Sequence, residues 1–341
     1  MLCLSRGLFA LLLLTSLSLT AGAGRARAGS LELALPRLSE GDCSLTDEQG
    51  PLVLQTDGEP TLRPDQLAFS QLVAAYGQGI APTVLAPVTT SGPAGFDVGV
   101  ETTITSLDRA ADYLARGTRG QGAQTCAGRN DAVRANLVTN RLHFEKGLPY
   151  GLSVGALFGH VAAAGSYLVG VDLKLALLEE VWHARVPDLA LRAALNRLVG
   201  EPGLSLFVAA FDAIVSKRFV VAHRLELSPW LGAGLSWTRA ETGRIDLTPN
   251  IDALACSAGV DPVCTAGGLG ASDQDLAHDV RFGQVSLLRA RAFVGLWLRF
   301  RQLALSSSFA MDPAPPHAGE RDQGKTIARQ WTVSVAPTLT F

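Results

Sequence analysis

The sequence predicts an all-β fold, a closed antiparallel transmembrane β-barrel of about ten strands with a short helix ahead of it. Three observations carry this. Segments with period-two alternation recur from Gly95 to the terminal Phe341. Most of them reach the ~9–11 residues that a tilted strand needs to cross a bilayer, whereas strands of soluble proteins average ~5–6. Beyond the N-terminal stretch no apolar run of ~18 residues occurs, although mean hydropathy is +0.23 and only 18% of residues are charged. Helical membrane proteins need long apolar runs, while a barrel distributes its apolar surface by alternation along short segments.

Residues 1–28 read as a signal peptide. Arg6 supplies the positive charge, Leu8 to Leu19 the apolar core, and Ala26-Arg27-Ala28 the small-residue cleavage site. That core is shorter than the ~20 residues of a membrane-spanning helix, so export is expected rather than an anchor. No lipobox cysteine follows it.

Residues 29–94 read as a periplasmic lead-in. From Ser30 to about Pro64 the chain is rich in Pro, Gly and acid without sustained periodicity. Asp65 is placed to cap a short helix with Leu67, Leu72, Val73 and Tyr76 at helical spacing. The simplest role for that helix is packing against the periplasmic end of the barrel; a plug in the lumen is the alternative.

Residues 95–341 read as the barrel. In the first segment Phe96, Val98, Val100 and Ile104 share one face and Asp97, Gly99, Glu101 and Thr103 the other. Similar segments follow at about 136–147, 149–161, 166–179, 187–198, 204–217, 224–239, 281–299, 303–311 and 327–341. Ten strands fit best, and segment edges permit about eight to twelve. A soluble sandwich also alternates, with its apolar face inward, so strand and link lengths are what favour the bilayer. With the first strand starting in the periplasm, the links on the far side fall at about 108–134, 162–165, 199–203, 240–280 and 312–326. The near-side links, at about Gly147–Leu148, 180–186, 218–223 and 300–302, are short. Transmembrane barrels show this asymmetry, with short periplasmic turns and longer external loops.

The last segment places Trp331, Val333, Val335, Pro337, Leu339 and Phe341 on one face and stops on Phe. It resembles the C-terminal strand of bacterial outer-membrane β-barrel proteins, which ends in an aromatic residue preceded by alternating apolar positions. The resemblance implies an outer-membrane location, lipid contact around the barrel, and recognition of the strand ending at Phe341 by the barrel-assembly machinery. The motif covers the last eleven residues and the barrel pattern covers Gly95 to Phe341. Pro337 departs from it, because proline cannot donate to a ladder, and predicts a bulge or a weak closing seam.

On this register the lumen holds Asp97, Glu101, Glu145, Asp172, Asp212 and Glu226 against Arg141, Lys174, Arg192, Arg289, Arg291 and Arg299. Their signs balance. A barrel of about ten strands is too narrow for a wide aqueous pore, which needs about sixteen, so these charges are expected to pair across the lumen or to line a narrow porin-like passage for a small solute. The arginines of the eighth strand favour an anionic group. Trp182, Trp230, Trp237, Trp297, Trp331 and Tyr150 are expected to pack or to form interfacial girdles. The stretch Leu148 to Gly155 resembles strands of outer-membrane transporters of hydrophobic compounds, over a few residues.

With 29 Lys and Arg against 31 Asp and Glu and no charged block, nothing points to nucleic acid. Four cysteines follow the signal, and Cys256 with Cys264 is the expected disulfide, since exported chains meet oxidising conditions. Pairing of Cys43 with Cys126 fits the topology badly. The spacing lacks nearby His partners for zinc, and no metal or cofactor is expected. An outer-membrane hydrolase is the enzymatic alternative. His278-Asp279 is its immediate His–acid pair, at the rim of the fourth external link, without a companion nucleophile or carboxylate dyad. There is no G-x-S-x-G, H-E-x-x-H or P-loop. A secreted β-sandwich binding module is the soluble alternative, and a non-enzymatic barrel is the reading preferred.

Overall fold

The computed structural model describes residues 31–41, 62–120, 128–178, 186–201, 203–221, 225–247, 279–313 and 329–341. Ten antiparallel strands form the wall: β1 (Phe96–Ser106), β2 (Asn136–Gly147), β3 (Leu152–Val161), β4 (Tyr167–Leu178), β5 (Asp188–Val199), β6 (Leu204–Ser216), β7 (Leu225–Thr242), β8 (Val285–Phe300), β9 (Leu303–Met311) and β10 (Trp331–Thr340). Each pairs with its sequence neighbour, and β10 pairs back onto β1, closing the ring. Closure leaves the wall without an edge, as hydrocarbon requires.

The alternation resolves as a barrel in lipid rather than a sandwich. Along β4 the apolar Val169, Val171, Leu173 and Leu175 are exposed, while Asp172 and Lys174 between them are buried. Leu231 and Leu288 are each 60% exposed, whereas Arg289 and Arg291 are 2% and 5% exposed. A water-soluble fold would invert this, since apolar surface gains about 25 cal/mol per Å² on leaving water. The apolar band instead faces outward, where lipid replaces water. No helix among the described residues is long and apolar enough to cross a membrane.

Aromatic residues mark both margins of the band. Phe96, Phe300 and Phe341 lie exposed at the short-turn end, and Tyr167, Trp237 and Trp331 at the long-loop end. At the short-turn end the ring is fastened where it began. Phe96 N donates to Phe341 O at 3.2 Å, Phe341 N donates to Phe96 O at 2.9 Å, and their rings stack at 4.6 Å. Pro337 produces no bulge. The β10–β1 ladder passes from Val335↔Thr102 to Thr338↔Gly99 in unchanged register, skipping Ala336 and Pro337.

Helix α1 (Gln66–Ile80) begins where Asp65 caps it, accepting from Ala68 N at 2.8 Å. It stops because Pro82 follows and drives Ala81 out of helical dihedrals, to ψ 146°. Its residues are buried except Gln66, Leu67 and Gln71. This burial on all sides has a simple cause: α1 stands inside the barrel. Its first turn meets the long-loop end, where Gln66 Nε2 donates to Gly283 O at 3.0 Å and Gln66 Oε1 accepts from Gly283 N at 2.7 Å. The chain then descends the lumen and leaves at the short-turn end, where Val88 N donates to Ser216 Oγ at 3.1 Å, before turning into β1.

Of the two placements expected for the helix, it takes the lumen and does not pack against the outside of the short-turn end, and the residues before it lie at the long-loop end. There a 3-10 turn (Leu35–Arg37) and a ribbon of Ser39–Gly41 with Leu62–Pro64 pack with helix α2 (Asp112–Gly117), part of the β1–β2 link. A second ribbon, Ile245–Asp246 with Asp279–Val280, belongs to the β7–β8 link, so β8 starts at Val285 rather than near residue 281. The expected signal peptide and Cys43, Cys126, Cys256, Cys264, Trp182 and His278 lie outside the described residues.

Candidate functional site

Period two settles which side chains enter the lumen. Asp97 and Glu101 enter from β1, and Arg141 and Glu145 from β2. Asp172 and Lys174 come from β4, Arg192 from β5, Asp212 from β6, and Arg289 and Arg291 from β8. All but Asp97 are buried, and Asp97 accepts a hydrogen bond from Ser91 Oγ at 2.8 Å. Glu226 and Arg299 face inward at the short-turn rim, directly opposed in register, with 3.9 Å between their charged groups and about a third of each exposed. All twelve thus lie on the inner side of the wall.

The ion pairs form a chain across the wall. Arg291 donates to Asp212 at 2.6, 2.7 and 2.9 Å. Arg192 lies 3.5 Å from Asp212 and 3.6 Å from Asp172, and His143 Nε2 lies 3.1 Å from Asp172. Lys174 pairs with Glu145 at 2.9 Å and Arg141 with Glu101 at 3.6 Å. Glycine makes these reaches possible. On β7, Gly234 opposes Asp212 on one side and Arg291 on the other, and a Cβ there would sit 2.2 Å from Asp212 Oδ1. The guanidinium crosses a whole strand over that gap.

The same groups hold the lumen segment by its backbone. The last carbonyls of any helix lack intrahelical partners and carry the negative end of its dipole. Here the wall supplies cations and amides. Arg141 Nη2 donates to Gly79 O and Nη1 to Ala81 O, each at 3.1 Å, while Asn196 Nδ2 donates to Ile80 O at 2.8 Å. Further down, Arg291 Nη1 donates to Pro82 O at 2.5 Å, Ser306 Oγ donates to Leu85 O, and Lys174 Nζ donates to Pro87 O at 3.4 Å. Higher up, Arg289 donates to Ala74 O, Asp312 and Gln330, each at 3.0 Å. Close approach of α1 to the wall depends on Gly79, whose added Cβ would lie 2.1 Å from Leu137 Cδ2.

Apolar packing completes the seal. Trp230, Phe293, Ile214 and Ala190 of the wall surround Val84 and Val88 of the descending chain, so Trp230 packs in the lumen and Trp237 stands on the outside. Among the described residues a space of about 20 Å³ remains beside Arg291 and Phe293, and a cavity of about 40 Å³ lies between the chain at Thr83–Ala86 and the wall at His143, Asp172 and Arg192. That holds about two or three waters. Sequence reasoning missed His143, Asn196, Ser306, Asp312 and Gln330. Parity with Arg141 and Glu145 was the available signal for His143, whereas Asp312 and Gln330 stand outside the strands and gave none.

No family model and no curated protein matches this sequence. Among solved structures the chain is similar to Neisserial surface protein A, with 13% identity over 72% of this chain and 97% of that chain and a TM-score of 0.27. The N-terminal β-barrel domain of OprF from Pseudomonas aeruginosa gives 10% identity over 72% and 97%, TM-score 0.27. The outer membrane protease OmpT from Escherichia coli gives 7% over 76% and 98%, TM-score 0.27.

Proposed function

We propose that this chain is a non-enzymatic, structural outer-membrane barrel whose luminal charges serve to hold its own N-terminal segment, so that the passage is closed. The observation that supports it is the set of wall donors spent on backbone carbonyls from Ala74 to Pro87. A passage built for an anionic solute would leave its arginines facing open space. Here Arg141, Arg289 and Arg291 each serve a carboxylate and a carbonyl together. The external side is read as the long-loop end, because the links at 107–135, 243–284 and 312–330 all fall there.

Purified wild-type protein in planar bilayers is expected to show no sustained conductance. Deletion of residues 66–88, in a form that keeps heat-modifiable gel migration, is expected to conduct. Steady solute-selective conductance by the wild type would overturn the closed reading in favour of a solute passage.

A further inference from the structure

We propose that the region preceding α1 is displayed on the outer face of the cell, folded with the external loops into one composite cap, and that the lumen segment is the tether that keeps it there. The proposal rests on the orientation given above, in which the long-loop end is external.

The cap is a joint product of both ends of the topology. Leu31 N donates to Ala163 O at 3.1 Å in the β3–β4 link. In the β1–β2 link, Ala34 N donates to Gly117 O at 2.9 Å, and Arg119 N donates to Glu32 O at 2.8 Å. Arg37 Nη1, on a buried side chain, donates to Thr118 O at 3.1 Å and Arg119 O at 3.0 Å. Arg116 of α2 ties the pieces together, bonding Asp65 Oδ2 at 2.5 Å, Asp112 Oδ2 at 2.6 Å and Ser39 O at 3.2 Å. Beneath them Leu31, Leu33, Leu35 and Leu38 share one apolar core with Phe69 and Leu72 of α1, Leu114 of α2, and Leu247 and Phe282 of the β7–β8 link.

The segment therefore cannot rest at the short-turn side while the barrel keeps this structure. Its core lies above the lumen, and the chain below runs through the lumen to Phe96. A region placed this way presents surface to the medium rather than to the periplasm. Glu40 and Arg63, on its ribbon, are exposed.

The test uses single cysteines in the full chain with Cys43, Cys126, Cys256 and Cys264 changed to serine. Glu40→Cys reports the cap, with Arg63→Cys as a second reporter. Arg244→Cys reports the long-loop end and Arg301→Cys the short-turn end, both sites being exposed. Whole cells are treated with a membrane-impermeant maleimide, and labelling is read only on the heat-modifiable, folded band. Glu40→Cys, Arg63→Cys and Arg244→Cys are expected to label on intact cells, at least tenfold above Arg301→Cys, which labels after lysis. Labelling of Arg244→Cys on intact cells with both cap reporters silent until lysis would overturn the display and leave the orientation standing. Labelling of Arg301→Cys alone on intact cells would overturn the orientation and the display together.

Discussion

Replacing Arg141 with methionine is expected to loosen the lumen segment without dismantling the wall. The guanidinium makes two bonds to the helix terminus, to Gly79 O and Ala81 O at 3.1 Å each, and lies 3.6 Å from Glu101. Hydrogen bonds involving a charged group contribute about 1.5–3 kcal/mol each, so the two together contribute at least about 3 kcal/mol. Methionine keeps much of the unbranched bulk and leaves little void. Glu101 retains the hydroxyls of Thr83 at 2.6 Å and Thr103 at 2.5 Å, but its charge is better hydrated once the segment leaves, which adds to the shift. At about 1.4 kcal/mol per tenfold, the unplugged population rises about 100-fold or more. Open probability in planar bilayers at fixed voltage measures this directly. Arg141→Lys, a single ammonium without the planar fork, is expected to fall between wild type and methionine. A folded, heat-modifiable Arg141→Met protein with wild-type open probability would refute the carbonyl clamp.

Gly234→Ala would place a Cβ 2.2 Å from Asp212 Oδ1 and 2.4 Å from Phe211 O; disturbing a buried pair this way is expected to cost about 3 kcal/mol, seen as a lower temperature for loss of the fast-migrating band. Phe341→Ala removes the 4.6 Å ring stack at the seam, with an expected loss of about 1 kcal/mol beyond lost area in the same assay. Glu201, in the β5–β6 link, has its carboxyl raised from 4.5 to about 7 by burial, with Glu32 adding to the rise. The folded state therefore binds more protons than the unfolded one between those values, and stability falls as pH rises from about 4.5 to about 7 and then levels. Glu201→Gln is expected to flatten that part of the profile in thermal unfolding followed from pH 4 to 8.

The wall was legible because its signal is local. Inward Asp172 and Lys174 alternating with outward Val171 and Leu173 can be read without knowing any neighbour, and the closing strand follows the same rule through Pro337. The helix was legible as a helix but not as a plug. Leu67, Leu72, Val73 and Tyr76 suggest one apolar stripe, yet Ala74, Ala75, Gly77 and Gly79 fill the opposite sides with residues small enough to be enclosed, and an evenly enclosed helix belongs inside a larger structure. Pairing within the lumen was half legible. Asp212 and Arg291 were both assigned inward, but their meeting depends on Gly234 lying between them across two registers. The backbone carbonyls that Arg141 and Arg291 hold carry no residue-type signature at all.

The arrangement along the lumen has a mechanical consequence. The bonds from the wall to Ala74, Gly79, Ile80, Ala81, Pro82 and Pro87 are spaced along one segment that runs through the lumen from one end to the other. A pull on the cap would load them in shear, all together, rather than peeling them one at a time. Beyond them the strain passes to Phe96, which is bonded in both directions to Phe341. Extraction would thus require the clamps to fail as a group before force reached the seam, which makes this narrow barrel a strong mooring for the small cap it holds.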